Sequence, residues 1–131
     1  MRAGVTLLLI LLAALCLGCG ASDRAPRATA ERFQSALAGR DGAAACAELS
    51  SATVSKLEQQ EKHPCARAIL AVGLPTGSQV AKTSVYVTSA SVSLADGDTL
   101  FLDEASKGWE VSAAGCHPTR PDLPFDCDLE D

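Results

Sequence analysis

Aromatic residues are scarce in this chain, which has three Phe, one Tyr and one Trp in 131 residues. A domain this poor in rings must build its core from Leu, Ile, Val and Ala, each contributing less buried area than a ring. Also missing is an apolar run long enough to span a membrane, which takes about 20 residues. There is no glycine-rich phosphate loop, no G-x-S-x-G and no H-E-x-x-H, which removes the usual signatures of nucleotide, serine-hydrolase and zinc-protease chemistry. Basic residues run short toward the end. From Asp96 to Asp131 ten acids face only Lys107 and Arg120. Nucleic-acid binding calls for a basic stripe, so it is excluded on this reading, and that third of the chain should be repelled by an anionic membrane surface. The plain reading of these acids is a solvated face.

What the chain does have is six cysteines. Two lie in "LCLGCGASD", Leu15 to Asp23, just after the nearly apolar stretch Val5 to Leu17. Arg2 supplies a positive start, and the apolar stretch has the length of a signal-peptide h-region. Gly18 and Cys19 resemble the end of the bacterial lipobox, while Cys16 and Leu17 depart from its usual residues. The resemblance implies that residues 1–18 are removed and that Cys19 receives a diacylglycerol. Two or more acyl chains make a stable anchor where one holds only marginally. The expected location is the outer face of the bacterial cytoplasmic membrane. An ordinary secretory signal cut elsewhere is the alternative. A cytosolic redox CxxC does not fit a pair placed at the end of a signal segment.

Beyond the expected cut remain Cys46, Cys65, Cys116 and Cys127. An even number in a small exported domain reads as two disulfides, with three pairings open. Cys46–Cys65 with Cys116–Cys127 is favoured because each joins chain neighbours. Pro118, Pro121 and Pro124 favour a turned, stapled loop inside the second pair. Zinc is the rival, with His63 near Cys65 and His117 next to Cys116, but neither spacing is a usual ligand pair. No metal or other cofactor is implied.

Residues 19–27 read as a tether and 28–131 as one α+β domain. Helical patterns run over Arg27–Ala38, with Ala30, Phe33 and Leu37 on one face, then Gly42–Leu49 behind Asp41. A third helix, capped by Ser50 or Ser51, reaches about Gln60, and a fourth runs from Pro64 to Gly73. After Ser78 the pattern alternates. "AKTSVYVTSASVSL" is one bent strand or two, turning near Val87–Ser89, and Asp96-Gly97 and Lys107-Gly108 signal hairpins around "TLFLDEA" and "WEVSA". The expected architecture is N-terminal helices packed on a curved antiparallel meander of three to four strands.

"ERFQSALAGRDGAAACAELS" resembles the opening helices, and "TLFLDEASKGWEVSAAGC" the last hairpin, of the nuclear-transport-factor-two-like (ketosteroid-isomerase-like, cystatin-like) cone fold. With its proline-rich loop and "FDCDLED", the chain is also similar to small actinobacterial lipoproteins of unknown function. The resemblance implies a pocket between sheet and helices, with Phe33, Tyr86, Phe101 and Trp109 as candidate lining. Isomerase-like members use an acidic base beside Tyr or Asp donors, and Tyr86 with Asp103 or Glu104 would be the counterparts here. The plainer reading leaves those acids in water and Trp109 as a core plug. Asp96 and Asp98 flank a hairpin glycine and fall short of the six or more oxygens calcium needs. Three functions follow: a non-catalytic envelope lipoprotein that meets an envelope protein, a binder of a small apolar ligand, and an isomerase- or hydratase-like enzyme. The first is preferred, and no catalytic residue is assigned.

Overall fold

The computed structural model describes residues 23–122 and 124–131. The expected signal segment and Cys19 lie outside the described residues. Four helices come first: α1 (Arg24–Ala38), α2 (Gly42–Ala47), α3 (Ser51–Glu61) and α4 (Cys65–Val72). Five strands follow: β1 (Val80–Tyr86), β2 (Ser89–Leu94), β3 (Thr99–Ala105), β4 (Gly108–Pro118) and β5 (Phe125–Glu130). They form one antiparallel sheet in the order β1-β2-β3-β4-β5, and it does not close. The α+β class is as expected. The strand number corrects the expectation of three to four, because "FDCDLE" leaves the stapled loop and pairs with β4 from Ala113↔Glu130 to Pro118↔Phe125. Helix α1 also begins earlier than expected and takes in Arg24–Arg27 of the assumed tether.

Local chemistry sets the helix starts. The Asp41 carboxylate accepts from the Ala44 N–H at 3.0 Å, and the Ser50 hydroxyl from the Thr53 N–H at 3.1 Å, so each satisfies a donor the helix leaves free. Gly73 ends α4 in the left-handed region, at φ 78°, where a side chain is strained. Gly39 caps α1 at φ −76°, and the left-handed step falls on Arg40 instead.

The helices cover one face of the sheet. In β2, "SASVSL", every second residue is buried, so Ala90, Val92 and Leu94 face the helices. Leu100 and Leu102 of β3, Val111 and Ala114 of β4 and Leu129 of β5 join them against Phe33, Leu57 and Ile69. Phe33, Leu57, Ile69, Leu100, Leu102, Val92 and Val111 are all less than 2 % exposed, so this interior is filled. Each such side chain contributes about 1.5–3 kcal/mol by leaving water.

The turn between α2 and α3 docks on β4. Leu49 bridges to Val111 in parallel, with Ser50 N–H donating to the Val111 carbonyl at 2.9 Å and Val111 N–H to the Glu48 carbonyl at 2.8 Å. The Thr53 hydroxyl donates to the Ser112 carbonyl at 3.0 Å. β5 reaches only as far as Ala113 along β4, so this turn carries on the pairing where β5 stops. Two register shifts interrupt the β3–β4 ladder, between Thr99 and Phe101 and between Phe101 and Leu102. Arg32 spans the same region, donating to both Glu48 oxygens at 2.8 Å and to Thr29 at 3.0 Å. That pair holds the Arg32 guanidinium above its ordinary pKa, chiefly through the Glu48 hydrogen bond and against some desolvation.

Both disulfides follow the favoured pairing. Cys46–Cys65 ties α2 to α4 across 19 residues, and Cys116–Cys127 ties β4 to β5 across 11. Loops of these lengths are worth about 3 kcal/mol each on a chain-entropy estimate. The second is a cross-strand link between paired residues and not a loop staple. Gly42 makes the first geometry accessible, because a Cβ there would collide with the Ala66 carbonyl of α4. Gly42→Ala is therefore expected to lose about 1–3 kcal/mol in urea unfolding. An unchanged midpoint would show that α2 and α4 do not approach this closely.

Candidate functional site

The face of the sheet that the described helices leave uncovered holds the most distinctive surface. Strand alternation that buries Ala90, Val92 and Leu94 sends Ser89, Ser91 and Ser93 the other way. Register brings Tyr86 and Asp103 beside Ser89, and Ser84 and Phe101 beside Ser91. A groove of about 490 Å³ lies among Tyr86, Ser91, Phe101, Asp103, Ser112 and Phe125. Phe101 and Phe125 meet edge to face with ring centres 5.1 Å apart. Tyr86 is 62 % and Phe125 42 % exposed, large apolar side chains turned toward water.

The candidate pocket of Phe33, Tyr86, Phe101 and Trp109 is not assembled. Phe33 is wholly buried beneath α1, and Trp109 packs against the same core. Tyr86 and Phe101 line the groove on the opposite face. The sheet itself separates the two pairs, since Phe101 lies between the core residues Leu100 and Leu102 and must point away from them. Asp103 accompanies Tyr86 as the enzyme reading required, but Asp103 and Glu104 are both exposed rather than enclosed.

One pairing escaped sequence reasoning. His117 Nδ1 lies 2.7 Å from Asp98 Oδ1, and the Asp98 side chain is only 5 % exposed. The two are 19 positions apart and meet because Thr99 pairs with Cys116 in the β3–β4 ladder. Spacing could not reveal this, because it depends on a bulged register. Burial pushes the Asp98 carboxyl above its ordinary pKa. His117 opposes that shift, while the Asp96 and Asp128 charges add to it. Among the described residues no group of three or more His, Cys, Asp or Glu is placed to hold a metal ion. The four described cysteines are all joined in disulfides. No helix among the described residues is long and apolar enough to cross a membrane.

Val87 stands at the β1–β2 turn, 92 % exposed and at φ 54°. A β-branched residue in the left-handed region is strained, at a cost of about 1–2 kcal/mol.

Comparison with protein-family models, with curated proteins and with solved structures finds no match to this chain.

Two measurements follow from this geometry. A carboxyl with a raised folded-state pKa adds stability below its unfolded value and loses that stability as pH rises through the folded value. Asp98→Asn should therefore gain on the native protein in urea unfolding as pH climbs from below 3.8, the ordinary value. Parallel pH curves for the two proteins would contradict a buried, ionising Asp98. Val87→Asn should raise the unfolding free energy in urea by about 1 kcal/mol, since Asn tolerates left-handed backbone; a lower unfolding free energy would contradict the strained turn.

Proposed function

We propose that this chain is a lipid-anchored, extracytoplasmic binding module without catalytic activity, and that the sheet face left bare by the described helices is its working surface. The observation that carries this reading is the groove beside Tyr86, Phe101 and Phe125, set on the face opposite a filled core. Soluble domains scatter single apolar residues over their surfaces, but a grouping around a concavity marks contact with something else. Two disulfides suit an oxidising compartment, in line with export. The lipobox-like Gly18-Cys19 supplies the address and the anchor.

Kinship with the nuclear-transport-factor-two-like cone group is part of the proposal. Its support is the order of elements, helices first and then an antiparallel meander packed against them. The packed interior favours a surface site over a pocket inside the cone. An isomerase-like reading calls for an acidic base enclosed in a pocket, and Asp103 and Glu104 are both exposed.

The test is fractionation of the native host followed by intact mass before and after reduction. The expected species is membrane-bound, begins at Cys19 with a diacylglycerol on its sulfur, and gains two hydrogens per disulfide on reduction. Cytosolic protein that retains Met1 and has free thiols would refute the proposal.

A further inference from the structure

We infer that the groove on the bare sheet face is a binding site for a neutral saccharide, an inference that rests on reading the chain as an extracytoplasmic binding module. Hydroxyl groups dominate the polar part of the lining. Ser89, Ser91 and Ser93 all lie along one strand and face the same way, repeating about every 6.8 Å. Thr99 and Ser112 add two more from the neighbouring strands. Ser89 and Ser112 already donate to the Tyr86 and Phe101 carbonyls, each at 3.3 Å, and offer a sugar their acceptor lone pairs, while the Ser91, Ser93 and Thr99 hydroxyls can pair with sugar hydroxyls in either sense. Their small size also keeps the floor low, which is why this part of the sheet forms a trough.

Aromatic rings flank that floor. Phe101 and Phe125 interlock on one side, and Tyr86 stands on β1 at the other. A pyranose presents one apolar C–H face and an edge of hydroxyls. Rings over a hydroxyl floor meet both, whereas a wholly apolar ligand would strip water from the serines and return no hydrogen bond.

Charge narrows the class further. Asp103 is the charged residue in the lining, and no Lys, Arg or His lines the groove among the described residues. The base closest in register is Lys82, opposite Ser93 at the far end of the pairing. A carboxylate without a basic partner repels phosphate and carboxylate groups, and it accepts hydrogen bonds from neighbouring hydroxyls of a neutral sugar. A volume of about 490 Å³ lies within the range of small-ligand sites.

The test titrates the full chain in detergent with cellobiose, with N,N′-diacetylchitobiose and with glucose phosphate, following backbone amide shifts by NMR. At least one neutral disaccharide should produce saturable shifts at Ser91 and Phe101, and glucose phosphate should not. Ser91→Trp, which fills the trough, and Tyr86→Ala, which removes an exposed wall, should each weaken binding by at least about tenfold. Val87→Asn, outside the lining, should leave binding unchanged. Silence with both neutral disaccharides, equal binding of the phosphate, or undiminished binding by folded Ser91→Trp and Tyr86→Ala would each overturn the inference. A sugar-blind groove on a protein that is still acylated and envelope-bound removes the saccharide and leaves the binding module. A cytosolic, unacylated protein removes the module itself.

Discussion

A sheet has two faces, and the described residues supply helices for one. Everything else follows from that constraint. The helix-facing side takes the scarce large residues, Phe33, Leu57, Ile69, Leu100 and Leu102, and packs them until the interior is filled. The opposite side must then meet water, and the strands answer with serine and threonine where the core side carries leucine and valine. Against that polar ground, Tyr86, Phe101 and Phe125 stand out, because solvent gives no reason for them to be there.

A core made of small aliphatic residues needs support, and it comes at two places. At one, α2 and α4 lie close enough that Gly42 has no room for a Cβ, and the Cys46–Cys65 link closes the pair. At the other, β4 is held from both sides. β3 pairs along one edge, while β5 and then the turn at Glu48–Ser50 share the other, and Cys116–Cys127 fixes the β5 end. β4 thereby becomes the element on which helices and sheet agree. Its interrupted register with β3 also brings Asp98 under His117 and Ser112 into the groove.

Local chemistry was readable in the sequence. Asp41, Ser50 and Gly73 mark helix ends through side-chain acceptors and left-handed backbone, interactions that span a few residues and so are written in order along the chain. The alternation in "AKTSVYVTSASVSL" marks extended chain and leaves one bent strand or two open, and the structure resolves it into β1 and β2. What stayed hidden depends on register. "FDCDLE" alternates charged residues with Phe, Cys and Leu, and the prolines before it pointed to a loop, so its pairing with β4 was missed. Phe33 and Phe101 look equally suited to a pocket, and only the sheet between them decides that they never meet. Asp98 and His117 carry no mutual signal at all, because two bulges determine which residues of β3 and β4 face each other.

The central claim is that the sheet separates its aromatic residues into a dry set and a wet set. Solvent paramagnetic relaxation measured by NMR on the ring protons of the full chain reports this directly. Tyr86 and Phe125 should broaden strongly with a soluble paramagnetic agent while Phe33 stays sharp. Equal broadening of Phe33 and Tyr86 would mean a hollow interior open to water, and the account of a filled core with an outward-facing site would be wrong.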